Sequence, residues 1–278
     1  MLSVAIIMTV FNRLENTKRC IKNLEEALSH VPHTYYITND GSSDDTETYL
    51  NSISDTINLT VFHGDGTLFW NRGMYHSFEN AMKKGYDFYL WVNNDTFFFR
   101  NMWEVLIKDY YSAIKFNPFS IICGSLQSVV TGRISYGGTG ANGLIEPNGQ
   151  IAECTHINGN CVLIPKNVAM KIGNLDYRFE HGLGDFDYGQ RILSQGGKLF
   201  ISSEYVGTCE NNPVEGTWKD RTLPIKQRIK LMKSKTGLPR YSYKVYLKKW
   251  NKKNWLLYYY KPYFDIFKDS IKRKIGRK

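Results

Sequence analysis

The feature that most constrains this chain is a repeated unit: a short, almost uninterrupted apolar run ending abruptly in a polar, turn-forming cluster, then a helix-patterned stretch. Residues 3–10 (SVAIIMTV) run into Phe11-Asn12-Arg13, and Asn16–Leu28 then places Cys20, Ile21, Leu24 and Leu28 at helical spacing. A second run, Thr34–Thr38, ends in Asn39-Asp40-Gly41-Ser42-Ser43-Asp44-Asp45-Thr46, whose turn residues also cap a helix expected over Glu47–Ile53. Leu59–His63 reads as a third strand, Gly64-Asp65-Gly66 as a loop, and about Gly73–Lys84 as a helix. The strongly apolar Phe88–Val92 then delivers Asn93-Asn94-Asp95. Fully apolar strands alternating with helices predict an α/β fold with a mostly parallel sheet, in which ligands bind beyond the carboxyl ends of the strands. The three polar clusters all belong at that edge. After residue 120 the pattern is less regular, with Gly-rich stretches at Tyr136–Gly143 and Asn158–Asn160 and a helix expected near Asp187–Ser194.

Charge divides the chain. Residues 219–278 hold 20 Lys/Arg against 3 Asp/Glu, whereas residues 1–218 hold 16 against 23. A tail so basic is suited to an anionic surface, and its interleaved Trp250, Trp255, Leu256, Leu257 and Tyr258–Tyr260 suit a bilayer better than a nucleic acid, for which no recognition motif is present. A tail helix packed on the rest of the chain, with a solvated basic face, explains the same residues equally well. The expected final helix puts Phe264, Phe267, Ile271 and Ile275 on one face. No run has the roughly 18 or more apolar residues of a membrane span. The opening apolar segment lacks the basic lead of a secretion signal, so a cytoplasmic protein is expected, peripheral at the inner face of the plasma membrane on the first of the two readings of the tail. Five widely spaced cysteines without a CxxC pair read as reduced, packed thiols rather than a disulfide framework or zinc site.

Thr9-Val10-Phe11-Asn12-Arg13, Asn39–Thr46 and Asn93-Asn94-Asp95, in this order and spacing, resemble the signatures of family 2 glycosyltransferases of GT-A fold. The stretch Gly64–Met74 (GDGTLFWNRGM) resembles the rhamnosyltransferase- and galactofuranosyltransferase-like subgroup of bacterial surface polysaccharide assembly, and the likeness spans about residues 3–218. It implies a GT-A (Rossmann-like) catalytic domain over 1–218, with a nucleotide-sugar half (1–100) and an acceptor and base half (101–218), followed by a basic helical extension over 219–278.

The same resemblance implies the site. Taken alone, Asp40 reads as an Asx turn or helix cap; between the two flanking signatures it is assigned to the imide of a uracil or thymine ring. Thr9, Phe11, Asn12, Asp65 and Asn94 accompany it as nucleotide-binding candidates. Arg13 and Arg72 each offer a guanidinium to phosphate oxygens, and each reads nearly as well as a solvated surface residue. Asp95 takes the position of the last acid of a DxD-like motif, where a carboxylate binds Mg²⁺ or Mn²⁺ together with two phosphates. Asn93 and Asn94 stand where further acids are usual, so the metal is expected to be held largely by the diphosphate.

Gly184-Asp185-Phe186-Asp187-Tyr188-Gly189-Gln190-Arg191 resembles the ED-x-D-x-x-x-R signature, with Gly184 in place of Glu. Asp185 falls on the position of the catalytic base. Asp187 is the alternative, but it stands at i,i+4 from Arg191, the spacing of a structural ion pair. His156, Asn158 and His181 are candidates for contacts to sugar or acceptor, and Glu210 is left unassigned. The implied reaction is an inverting transfer from a dTDP- or UDP-sugar to a hydroxyl of a glycan or lipid-linked acceptor. The competing classes are a nucleotidyltransferase, which usually carries a Gly-rich loop after its first strand where Thr9–Arg13 has none, and a degenerate, non-catalytic carbohydrate- or nucleic-acid-binding protein, motivated by Asn93-Asn94, Gly184 and the basic tail.

Overall fold

A computed structural model describes the backbone of residues 1–275, with side chains through Ile271. The chain divides into two compact units, one formed by residues 1–177 and 184–211 and the other by residues 178–183 and 212–278.

The first unit begins with β1 (Val4–Val10), α1 (Leu14–Ala27), β2 (His33–Asn39), α2 (Thr46–Ile53), β3 (Leu59–His63), α3 (Phe69–Lys84) and β4 (Phe88–Val92). It continues through β5 (Phe97–Phe98), α4 (Met102–Ala113), β6 (Ser120–Gln127), β7 (Ile134–Tyr136), β8 (Thr139–Gly140), β9 (Gly143–Leu144) and β10 (Ala152–Cys154). It closes with β11 (Cys161–Pro165), α5 (Lys166–Ile172), α6 (Gly184–Ser194) and β12 (Lys198–Thr208). The main sheet runs β10-β12-β6-β11-β4-β1-β2-β3, with β5 paired to β12 and β7 to β6, while β8 and β9 form a separate pair. The four strands of the first half are mutually parallel and β11 runs against both of its neighbours. This is the mixed α/β, mostly parallel architecture that the strand and helix alternation predicts.

The two-residue period of a strand explains how one run of apolar residues builds two cores. Val4, Ile6, Met8 and Val10 of β1 join Phe88, Leu90 and Val92 of β4 in a core that also takes Ile21 and Leu24 of α1 and Leu106 of α4. Ala5 and Ile7, with Tyr89 and Trp91, face the other way onto Met74 and Phe78 of α3 and Tyr188 of α6. Both faces are therefore covered by helices, which is why β1 and β4 carry no polar alternation. Trp91 anchors the second core, its ring edge-on to Phe78 at 5.5 Å and to Tyr188 at 4.8 Å. All five cysteines are free and buried.

Register sets the functional edge. Val10 pairs with Asn39, so the loops after β1 and β2 leave the sheet side by side. Cys161 pairs with Val92, so the antiparallel β11 brings Asn158–Asn160 to the edge where Asn93–Asp95 emerge. Thr208 pairs with Gln127 of the parallel β6, which brings Cys209 there too.

The second unit contains α7 (Ile225–Met232), α8 (Arg240–Trp250) and α9 (Trp255–Ile275). Phe179, Met232, Tyr246, Leu247 and Ile266 are among its buried apolar residues. Arg228, almost fully buried, donates to the Trp218 carbonyl at 2.9 Å and pairs with Asp269 at 3.2 Å, tying α7 to α9. Among the described residues no helix is long and apolar enough to cross a membrane.

Candidate active site

The loop after β1 is set by two successive left-handed residues, Asn12 (φ 56°) and Arg13 (φ 62°), an uncommon backbone for residues with a side chain. It is fastened to the loop after β2: Ser42 Oγ accepts the Asn12 N–H at 2.8 Å, and Asn12 Oδ1 accepts the Ser43 N–H at 2.8 Å. Asp44 serves two helices at once, accepting Leu14 N–H at the start of α1 and Thr46 N–H at the start of α2. Thr9 turns its hydroxyl to the Thr38 carbonyl. Gly73 of α3 lies so close to Thr9 that a Cβ there would stand 2.1 Å from its Oγ1. Phe11 is exposed.

Asp40 is almost fully buried, and its carboxylate accepts the N–H groups of Gly66 (3.0 Å), Leu68 (3.2 Å) and Phe69 (2.9 Å). It therefore organises the Gly64–Phe69 loop and caps α3, whose first residue, Phe69, is left-handed at φ 58°. Asp65 lies exposed on that loop and accepts the Thr67 hydroxyl at 2.6 Å. Arg72, one turn into α3, donates to the Tyr177 carbonyl at 3.2 Å and lies over the Tyr177 ring at 5.0 Å.

After β4 three neighbours take three different roles. Asn93 accepts from the Trp70 indole at 2.6 Å and donates to Asn160 at 3.0 Å. Asn94 is buried and donates to Thr17 of α1 at 3.0 Å. Asp95 keeps a quarter of its side chain exposed and pairs with Arg13 at 2.9 Å. The two amides are thus committed to holding neighbouring elements, which leaves one carboxylate for a ligand. Among the described residues no group of three or more His, Cys, Asp or Glu could hold a metal ion. Such a donor set fits a hard divalent cation when Asp95 is one corner of its shell and diphosphate oxygens supply most of the rest.

Asp185 stands in the first turn of α6, where its carboxylate accepts the N–H groups of Gly159 (3.1 Å) and Phe186 (2.9 Å). It is partly solvent-accessible yet densely enclosed, and burial raises its carboxyl to about 6 despite those two donors. Asp187 has no solvent exposure and pairs with Arg191 at 3.0 Å; the same guanidinium donates to the carbonyls of Ile172, the last residue of α5, and of Asn174 just beyond it. Gly184 fills the place of the usual Glu because Asn71 occupies the space: a Cβ at Gly184 would lie 1.6 Å from Asn71 Oδ1. His156 packs edge-on to Phe186 at 5.4 Å, and burial lowers its imidazole. Asn158 turns its side chain to the Asn160 N–H at 3.1 Å. His181 belongs to the second unit, where burial lowers its imidazole also. Glu210 accepts from the Ser128 hydroxyl at 2.7 Å and so braces the end of β6.

The sheet edge thus gathers Arg13, Asp40, Asp95 and Asp185 with a set of residues that sequence reasoning passed over. Trp70, Asn160 and Cys209 are these residues, and they join Asn93 of the DxD-like signature in a chain of contacts that ends at Asp95: Asn160 also donates to Cys209 Sγ at 3.3 Å, and that thiol lies 4.0 Å from Asp95 Oδ1. Their signal was the density of Asn and Gly in Asn158-Gly159-Asn160 and Asn93-Asn94, which has meaning only once β11 is known to be antiparallel.

Solved structures share this architecture. The mannosyltransferase PcManGT of Pyrobaculum calidifontis, in complex with GDP-Man and Mn²⁺, matches at TM-score 0.54 and 14% identity, over 84% of this chain and 62% of that one. GalNAc-T7 with UDP, GalNAc and Mn²⁺ matches at TM-score 0.54 and 11% identity, over 85% and 55%. Residues 1–349 of TarS of S. aureus, in complex with UDP-GlcNAc, match at TM-score 0.54 and 12% identity, over 77% and 59%. The chain thus spans less than two thirds of each. No curated protein matches its sequence. The model of glycosyl transferase family 2 matches residues 5–162, more than half of the chain. With this sheet topology and the ordered loops at its carboxyl edge, the chain belongs to glycosyl transferase family 2 and has a GT-A fold.

Proposed function

We propose that the protein transfers a sugar, with inversion, from a dTDP- or UDP-sugar to a hydroxyl of a glycan or lipid-linked acceptor in bacterial surface polysaccharide assembly, a rhamnosyltransferase-like role. The observation that carries the base assignment is Asp185: a carboxylate at the ligand edge of the sheet whose proton affinity burial has raised to about 6, close to a working pH. Asp185 takes the acceptor hydroxyl proton as that oxygen bonds to the anomeric carbon and the bond from that carbon to the diphosphate oxygen breaks. Asp187 holds Arg191, and through it the end of α5, rather than a proton.

Asp95 and Arg13 face the diphosphate, Asp95 as the protein ligand of Mg²⁺ or Mn²⁺ and Arg13 as a cationic side chain released from it. When bound, the metal neutralises charge on the leaving diphosphate. Asp40 shapes the base pocket through the three N–H groups it gathers, and it meets the nucleotide imide with the lone pairs they leave. Thr9, Phe11, Asn12, Asp65, Arg72 and Asn94 line or brace the nucleotide loops, and His156 and Asn158 belong to the sugar and acceptor side.

The test is a screen of nucleotide sugars, with and without Mn²⁺, for binding and for slow donor hydrolysis. Mn²⁺-dependent hydrolysis of one dTDP- or UDP-sugar is expected. Binding of sugars with no turnover of any donor would instead identify a non-catalytic carbohydrate-binding protein.

A further inference from the structure

α9 is apolar on two faces. At about 100° per residue, Pro262 and Ile266 fall on one side of the helix and are buried within its own unit. Leu256, Leu257, Tyr260, Phe264, Phe267 and Ile271 fall within an arc of about 100° on the opposite side, and all are exposed, from 48% for Phe267 to 67% for Phe264. Ile275, expected on this face from the sequence, has its side chain outside the described residues. The stripe is about 22 Å long at 1.5 Å per residue. Six large apolar side chains in one continuous row exceed the scattered exposure that is ordinary on a protein surface.

The charges around this row select its occupant. Lys261 and Lys268 border it, both exposed, and Lys252 and Lys253 lie exposed just ahead of α9. Lys249, Trp250, Lys252, Lys253 and Tyr258 line a recess at the junction of α8 and α9. The few acids nearby are already engaged: Asp265 with Lys261 at 2.7 Å, Asp269 with Arg221 and Arg228, and Asp220 with the hydroxyl and N–H of Thr222. A second copy of the chain would bring two strongly basic tails together, which charge opposes. A nucleic acid would satisfy the lysines but leave the apolar row in water. A surface of anionic headgroups over acyl chains meets both needs.

We infer that α9 lies in the plane of an anionic lipid surface, its Leu256–Ile271 stripe at the level of the acyl chains and the lysines of the α8–α9 junction on lipid phosphates. This goes beyond the transfer reaction, and its test needs no turnover. Full-length protein is sedimented with vesicles of phosphatidylcholine alone and of equal parts phosphatidylcholine and phosphatidylglycerol. Binding is expected to the second and not the first, and to weaken as salt shortens the Debye length from about 10 Å at 0.1 M to about 3 Å at 1 M. The triple variant Leu256→Glu, Phe264→Glu, Ile271→Glu alters exposed side chains only and should keep the parent's melting temperature and nucleotide binding. Its partition onto anionic vesicles should fall at least roughly tenfold. Equal binding of the folded variant and the parent overturns the inference, as does equal binding to both vesicle types or no binding at low salt. A parent that sediments as a dimer and a variant that sediments as a monomer, with vesicle binding unchanged, would assign the stripe to a second copy instead.

Discussion

At the scale of single residues, Asp185 and Asp187 show how two carboxylates two positions apart acquire different chemistry. Among the described residues Asp185 has N–H donors alone for hydrogen-bond partners, and it sits where burial favours its neutral form. Asp187 is fully buried against a guanidinium. If Asp185 is the base, kcat/KM must fall as its carboxyl is protonated: about tenfold per pH unit below 6, level above it, and without that limb in Asp185→Asn. At the plateau, Asp185→Asn is expected to lower turnover by roughly 10² to 10⁴ with donor binding retained. Asp187→Asn should do the reverse, keeping turnover per folded molecule while costing on the order of 3 kcal/mol through the uncompensated Arg191, read as a fall in melting temperature. A turnover collapse in folded Asp187→Asn, with Asp185→Asn active, would exchange the two roles. The i,i+4 spacing of Asp187 and Arg191 makes their pairing legible in the sequence, since it depends only on helical geometry. The raised proton affinity of Asp185 is not legible, because it comes from burial under atoms that distant segments bring over it, against the lowering pull of the Gly159 and Phe186 N–H groups.

At the scale of elements, helix starts are set by groups far away in sequence. α3 begins at Phe69 rather than near Gly73, where apolar spacing alone would start it, because Asp40 accepts the N–H groups of Leu68 and Phe69 and Phe69 adopts a left-handed backbone. α6 likewise begins at Gly184, ahead of the expected Asp187. Its tight fit against α3 gives a sharp expectation: Gly184→Ala forces its new methyl onto the Asn71 amide and should destabilise by about 1–3 kcal/mol. Asn71→Ala opens that space, so in a double-mutant cycle the pair should couple by roughly 0.5 kcal/mol or more; strict additivity of the two melting-temperature shifts would show that the helices move apart instead. Asp44→Ala, which uncaps α1 and α2 together, should cost about 0.5–2 kcal/mol and leave the chemistry in place. The strand ends were the most legible part of the site. A buried parallel strand must be apolar until it reaches the edge, so the change at Val10, Asn39 and Val92 marks that edge directly.

At the scale of the whole molecule, the second half of the sheet was the least legible. Nothing local to Cys161–Pro165 says that it runs antiparallel between β4 and β6, yet that direction carries Asn158–Asn160 to the acids. Long-range pairing likewise places Cys209 beside Asp95. A site assembled from so many separate segments exists only in the folded chain, so its ligands must stabilise folding by mass action. UDP or dTDP at a hundred times its dissociation constant should add about 2.7 kcal/mol, which for a unit of this size raises the melting temperature by about 5–10 °C. Adding Mn²⁺ should extend the shift, and a chelator should remove only the extension. Asp95→Ala should keep the shift given by nucleotide alone and lose the Mn²⁺ increment, since the three N–H groups held by Asp40 still shape the base loop while the one available carboxylate is gone. The metal assignment fails if Asp95→Ala retains the full Mn²⁺ increment. It fails equally if Mn²⁺ adds nothing to the parent while Arg13→Ala abolishes the nucleotide shift, which would make that guanidinium the principal counter-charge to the diphosphate.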